Sequence, residues 1–111
     1  MVITSDPLGA RVVVLRLDGR LDLVTAPGLR TAVEAEVAAG RPDVVLDLSA
    51  VAFMDSSGLG VLISSLKHAR QSGGELRIAA AAEQVLTVLK LTKLERVLRP
   101  YATVDEALEE L

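Results

Sequence analysis

The run Phe53-Met54-Asp55-Ser56-Ser57-Gly58-Leu59-Gly60 gathers two hydroxyls, one carboxylate and two glycines within eight positions. It stands at the start of the most legible helical pattern in the chain, where Leu59, Leu62, Ile63 and Leu66 recur at i, i+3, i+4 and i+7. Free backbone N–H groups and the helix dipole favour negative charge at such a terminus. Glycines in the first turn let another backbone or a charged group come close. The segment could thus hold an anion, or a phosphate carried on one of its serines. The plainer reading makes Ser56 or Ser57 an ordinary N-cap supported by Asp55. The two glycines weigh against a purely structural helix start, because each costs about 0.5–1 kcal/mol relative to Ala.

Other chemistries fail on residue inventory. The chain of 111 residues has no Cys and a single His, so thiolate metal sites, disulfides and any two-imidazole site are excluded. A serine hydrolase needs a base within hydrogen-bond reach, and His68 lies eleven residues past Ser57 on one helical pattern, roughly 16 Å along the axis. His68 reads instead as a solvated surface residue. Gly58-Leu59-Gly60 lacks the third glycine of a dinucleotide fingerprint, since position 63 is Ile, and no Gly-Lys-Ser/Thr follows a glycine loop. Scattered carboxylates offer no converging metal ligands. Lys90, Lys93, Arg96 and Arg99 straddle a predicted helix end, where dipole complementation and solvation account for them.

The charge balance also argues against a nucleic-acid grip. The net charge is −3, with the acids Asp105, Glu106, Glu109 and Glu110 crowded at the end of the chain. With 50% hydrophobic and 24% charged residues the chain is not disordered, and its length fits one domain over residues 1–111. The first ten residues do not read as a signal peptide and no apolar run approaches the length of a membrane span, which predicts a soluble cytoplasmic protein with no membrane partner.

Short β-branched runs alternate with helical patterns, predicting an α/β (α+β) domain. Residues 11–17 read as a strand closed by an Asp18-Gly19 turn. Thr25 is placed to cap a helix with Pro27 in its first turn, carrying Ala26, Leu29, Val33 and Val37 inward and ending at Gly40. Residues 43–48 read as a central strand covered on both faces. The helix after Asp55 turns Ser64, Ser65, Lys67 and His68 outward and ends near residues 71–74. A strand over 75–79, a helix over 83–91, a short edge strand over 96–98 and a last helix opened by a Thr103…Glu106 capping box complete the reading.

Three blocks together resemble the STAS domain, in its anti-sigma factor antagonist branch. They are Asp55-Ser56-Ser57-Gly58-Leu59-Gly60-Val61 behind Leu46-Asp47-Leu48, then Gly19-Arg20-Leu21-Asp22-Leu23-Val24-Thr25-Ala26, and Leu91-Thr92-Lys93-Leu94-Glu95-Arg96-Val97 with residues 104–108. The resemblance extends over about residues 10–111 and implies a mixed four- to five-stranded sheet with about four helices mainly on one face. It further implies a non-enzymatic partner switch without a cofactor, monomeric or weakly dimeric. Such a protein binds an anti-sigma factor that is also a serine kinase, releases a sigma factor, and is turned off by phosphorylation until a phosphatase restores it. Carried onto this chain, the phosphoacceptor is Ser56, and Asp55, Ser57, Gly58 and Leu59 surround it, with Asp22 and Thr25 beside it against the kinase. Three residues depart from the pattern: Arg20 where relatives often carry an acid, Lys93 where Gly is common, and Gly28 early in the first helix. STAS domains also serve as constitutive adaptors, in transporters or stress-signalling complexes, and Ser56→Ala separates the two roles.

Overall fold

The computed structural model describes residues 1–109 and 111. Four strands, β1 (Val2–Leu8), β2 (Val12–Leu21), β3 (Asp43–Met54) and β4 (Glu75–Ala79), form one mixed sheet in the order β1-β2-β3-β4. β1 runs antiparallel to β2, whereas β2–β3 and β3–β4 are parallel. Parallel neighbours need crossovers, supplied by α1 (Ala26–Ala38) and α2 (Ser56–Gln71). α3 (Glu83–Leu91) joins them on that face.

The main core lies between these three helices and the sheet. Leu15, Leu46 and Ile78 of neighbouring strands meet Leu29 and Val33 of α1, Leu62 and Leu66 of α2, and Val85 and Leu89 of α3. On the opposite face the short α4 (Val104–Glu109) sets Ala107 over Val14, Val45 and Ala79. Val44, Val45 and Leu46 are therefore buried on alternating faces, which explains why the central strand reads as an unbroken apolar run.

The strands differ from the expected set in several places, β3 among them, which runs to Met54 rather than ending at residue 48. β1 was not anticipated, because it is a largely exposed edge strand whose Asp6 and Pro7 break any apolar alternation. Residues 96–98 form no strand; only an isolated bridge, Ala79 to Tyr101, touches the outer edge of β4. Nor is there a turn at Asp18-Gly19. β2 continues to Leu21 and its pairing with β3 slips on both sides of that dipeptide. Gly19 there takes φ +129°, with Met1 Cα 3.2 Å from where a Cβ would stand, so a bulge requires the glycine that suggested a turn.

Helix ends also carry corrections. Thr25 gives α1 no side-chain cap, because its Oγ1 instead accepts the Asp22 N–H at 3.0 Å while donating to the Arg20 carbonyl at 2.6 Å. Ser65, expected outside, is buried between α1 and α2. Thr103 does accept from the Glu106 N–H at 3.1 Å at the start of α4, while Glu110 lies outside the described residues. α1, α2 and α3 close with the same paired hydrogen bonds to their last carbonyls, for α3 Leu94 N–H to Leu89 O and Lys93 N–H to Lys90 O. The left-handed residue in that third closure is Lys93, at φ +60°, so the turn forms without the glycine that the resemblance leads one to expect there.

Candidate functional site

The carboxyl ends of the parallel strands β2 and β3 emerge side by side, the position where open α/β sheets hold their sites. Leu21 pairs with Met54, and the Leu21 carbonyl then accepts the Asp55 N–H at 3.2 Å. This bond ties the start of α2 to the end of β2. Gln84 of α3 fastens the other side, donating Nε2–H to the Met54 carbonyl at 3.0 Å and accepting the Met54 N–H through Oε1 at 2.8 Å. Nothing in the sequence distinguishes Gln84 from a surface residue of a short helix.

The N-cap of α2 is Asp55, not either serine. Its Oδ1 accepts from Ser57 N–H at 2.9 Å and Gly58 N–H at 3.0 Å, with the extended backbone typical of a cap. Two of the donors that could have cradled an external anion are thereby occupied from within. Ser56, the first helical residue, is exposed, and its hydroxyl makes no hydrogen bond among the described residues. Ser57 is half-buried one position on.

Gly58 and Leu59 sit beneath this surface rather than on it. Leu59 is 6% exposed and belongs to the core. A Cβ on Gly58 would press into the Leu21 carbonyl oxygen, stand 2.8 Å from Leu21 Cγ and 3.0 Å from Met54 Cγ. Gly60 differs: it is exposed, and a Cβ there would meet nothing within 4 Å. Gly28 likewise faces open space, within a first turn of α1 that is intact.

The β2–α1 loop is organised by Asp22. Its Oδ1 accepts from the Val24 N–H and the Thr25 N–H, both at 3.1 Å, and from the Thr25 hydroxyl at 3.2 Å. The Thr25 N–H, opposed by partial desolvation and aided by the Thr25 hydroxyl, the Val24 N–H and Arg20, holds the Asp22 carboxyl below the usual aspartate range. Arg20 Nε approaches Asp22 Oδ2 at 3.6 Å and its guanidinium lies 4.3 Å from the centroid of the Phe53 ring. The charge that departs from the family pattern is thus spent within the loop.

This rigid turn pushes Leu23 and Val24 into solvent, 72% and 85% exposed. Leu23, Pro27, Arg30 and Thr31 line one side of a groove of about 440 Å³ whose other side is Ser57 and Val61 of α2. Arg30 Nη2 donates to Ser64 Oγ at 3.0 Å across the two helices. Asp22, Thr25, Asp55, Ser56 and Ser57 therefore belong to one end of the molecule, as two adjoining turns. Leu23, Val24 and Arg30 were missed; two apolar residues between the turn formers Asp22 and Thr25 were the signal available. His68 is on α2 with Ser57, roughly 16 Å away along the axis, so it cannot serve as a base for either serine. Among the described residues no group of metal-ligating side chains converges, and no helix is long and apolar enough to cross a membrane.

Comparison with known proteins places this arrangement. The STAS domain model matches residues 7–107. A candidate anti-sigma factor antagonist of Thermotoga maritima is 40% identical over 72 residues, 65% of this chain and 64% of that one. The chain thus aligns with somewhat under two-thirds of that relative's length. The anti-sigma F factor antagonist of Paenibacillus polymyxa is 33% identical over 101 residues, 90% of this chain and 86% of its own. The crystal structure of a candidate anti-sigma factor antagonist from T. maritima superposes with a TM-score of 0.89 at 33% identity, covering 97% of this chain and 92% of that one. With the fold, the two adjoining turns and the match over residues 7–107 in agreement, the chain belongs to the STAS domain family.

Proposed function

We propose that this STAS domain is an anti-sigma factor antagonist working by partner switching. It binds an anti-sigma factor that is also a serine kinase, which frees a sigma factor, and phosphorylation of Ser56 by that kinase ends the interaction until a phosphatase acts. It functions as a binding module, with no cofactor of its own. The observation that carries this reading is the state of Ser56. Neither hydroxyl of the Asp55-Ser56-Ser57 run makes a hydrogen bond among the described residues, and Ser56 is the exposed one, on a turn held rigid by Asp55, Leu21 and Gln84. Asp22 and Thr25 shape the neighbouring turn, and the exposed Leu23 and Val24 supply apolar surface for the partner.

A phosphoryl group adds about −1.5 to −2 charge at pH 7. On Ser56 it stands beside Asp55, whose carboxylate already holds the Ser57 and Gly58 N–H groups. The charge therefore faces outward to the partner. A loss of about 3 kcal/mol at the interface weakens binding more than a hundredfold. The test mixes the protein with an anti-sigma factor kinase of its source organism and ATP, and follows intact mass and complex formation. Wild type should gain the mass of one phosphoryl group and leave the complex; Ser56→Ala should gain none and stay bound; Ser56→Asp should bind at least about a hundredfold more weakly. Equal binding by all three proteins overturns the switch and leaves a constitutive adaptor.

A further inference from the structure

The two edges of the sheet are treated differently. At β4 the chain returns to its own edge: the Tyr101 N–H donates to the Ile78 carbonyl and the Tyr101 carbonyl accepts from the Ala80 N–H, each at 3.0 Å. β1 pairs with β2 along its whole length, Val2–Leu8, and among the described residues no strand pairs with its other side. Natural sheets guard such an edge with lysines, bulges, prolines or unmatched charges. β1 has no Lys or Arg and its register with β2 is unbroken. Its one charge, Asp6, is matched by Arg16 Nη1 at 3.1 Å, which leaves Pro7 as the guard.

A proline in an edge strand turns its missing N–H to the open side, so Ile3, Ser5 and Pro7 direct their backbone groups outward. Their side chains face α1, where Ile3 packs on the core and the Ser5 hydroxyl donates to Glu36. Val2, Thr4, Asp6 and Leu8 take the opposite face. Val2 and Leu8, at the two ends of that row, are 66% and 41% exposed. Read in reverse, the row matches itself: apolar ends enclose a hydroxyl and a carboxylate. The stripe of α1 that meets β1 carries only Ala32 and Ala39 on either side of Glu36, so no bulky side chain overhangs the edge.

From this pattern we infer that β1 is a surface for a second copy of this chain, the two β1 strands pairing antiparallel about a two-fold axis through Ser5. Ser5 then exchanges both backbone bonds with Ser5 of the second copy, and the Ile3 N–H donates to the Pro7 carbonyl of the second copy. On the face away from α1, Val2 lies against Leu8 of the second copy and Thr4 against its Asp6. Centring the pair on Thr4 or Asp6 instead would set Val2 against a carboxylate or Leu8 against a hydroxyl, and would leave the other apolar residue unmatched. One seven-residue strand pair falls below the roughly 1,200 Å² of stable interfaces, so the dimer is weak and forms at high concentration. The two-fold axis points the Ser56 turns in opposite directions along the joined sheet, because Val2 lies at the end of β2 that leads to them. Dimer and switch can therefore be tested apart.

Sedimentation velocity of the full, untagged chain between about 10 µM and about 1 mM tests the pairing. Wild type should pass from monomer towards dimer over that range. Val2→Lys/Leu8→Lys sets like charges opposite each other at both ends and should weaken dimerisation at least about tenfold. Val2→Lys/Leu8→Glu is as polar but sets opposite charges across the same contacts, so it should dimerise at least about tenfold more tightly than the double-lysine variant. In wild type the Ile3 and Ser5 amides should exchange more slowly at the high concentration than at the low one, a readout that needs no variant to fold. A wild-type chain still monomeric at about 1 mM, equal dimerisation by the two double variants, larger open-ended assemblies, or a dimer that leaves those two amides unprotected overturns the inference.

Discussion

The two glycines at the start of α2 should respond to alanine in opposite directions. Gly58→Ala places a methyl group against the Leu21 carbonyl oxygen, 2.8 Å from Leu21 Cγ and 3.0 Å from Met54 Cγ. The Met54 side chain can shift, but the carbonyl cannot without straining the Asp55 N–H bond it accepts at 3.2 Å. Overpacking of this kind costs about 1–3 kcal/mol, more where backbone must move, against a propensity gain of about 0.5–1 kcal/mol. Because the carbonyl is backbone the cost falls in the upper half of that range, the net loss is about 1–2.5 kcal/mol, and Tm falls by about 4–20 °C for a domain of this size. Gly60→Ala meets nothing within 4 Å and keeps only the propensity gain, about 0.5–1 kcal/mol, so Tm rises by about 2–8 °C. Thermal and urea unfolding followed by circular dichroism measure both. A Gly58→Ala protein as stable as wild type would refute the close approach of α2 to β2. A destabilised Gly60→Ala would refute the open space around that residue. If the partner's backbone lies against Gly60, the stabilised variant should nevertheless bind it less well.

Glu36 sits at the end of α1 in a mostly buried pair, accepting from the Ser5 hydroxyl and from Arg41 Nε at 2.7 Å. Burial raises its carboxyl, but Ser5 and Arg41 together outweigh that and hold it below the ordinary glutamate range. A depressed folded-state value stabilises above the unfolded value of about 4.3, and that stability is lost as pH falls through it towards the folded value. Glu36→Gln should cost about 1.5–3 kcal/mol at neutral pH and flatten the acid limb of urea midpoints plotted against pH. Gln84→Leu removes both bonds to the Met54 backbone and should cost about 1–3 kcal/mol, with faster hydrogen exchange at the Met54 amide as the site-specific readout. Lys93→Gly relieves a left-handed lysine at φ +60° and should raise stability by about 0.5–1 kcal/mol in urea unfolding.

The helix faces and the alternation of strands with helices were legible because each burial surface has its own periodicity: α2 shows Leu59, Leu62 and Leu66, and the doubly covered β3 shows Val44-Val45-Leu46. Edges were not. Local composition points the wrong way for both, since Asp6 and Pro7 interrupt β1 while residues 96–98 carry Val97 and Leu98; partnership decides, because β1 pairs with Val12–Asp18 of β2 and residues 96–98 pair with no strand, Leu98 being buried in the core. At the site, the residue types were legible but their division of labour was not. Asp55 and Ser56 are both common caps, and only the fold shows that the carboxylate takes the N–H groups and leaves the hydroxyl outside. The glycine pair was read as one feature, whereas Gly58 answers to Leu21 and a Cβ on Gly60 would meet nothing within 4 Å among the described residues.

That division bears directly on how a phosphoryl group on Ser56 would act. An empty helix N-terminus would draw the new oxygens onto its own N–H groups and spend their charge inside the protein. Here Asp55 already holds two of those groups, the Ser57 and Gly58 N–H, at 2.9 and 3.0 Å, so a phosphate reaching them would have to expel a carboxylate from its cap, at a cost of about 0.5–2 kcal/mol. Below the turn, Gly58 is seated on the Leu21 carbonyl and Gln84 clamps Met54, which leaves no slack for α2 to retreat. The change would therefore stay at the surface, between two aspartates and beside the exposed Leu23 and Val24, where under the proposed function a partner shaped for a neutral hydroxyl would meet it. Asp55→Asn separates the two routes. It keeps an oxygen on the N–H groups and removes one of the neighbouring charges, so phosphorylated Asp55→Asn should lose less partner affinity than phosphorylated wild type. If both lose the same, the switch works by reshaping the turn and not by charge at the interface.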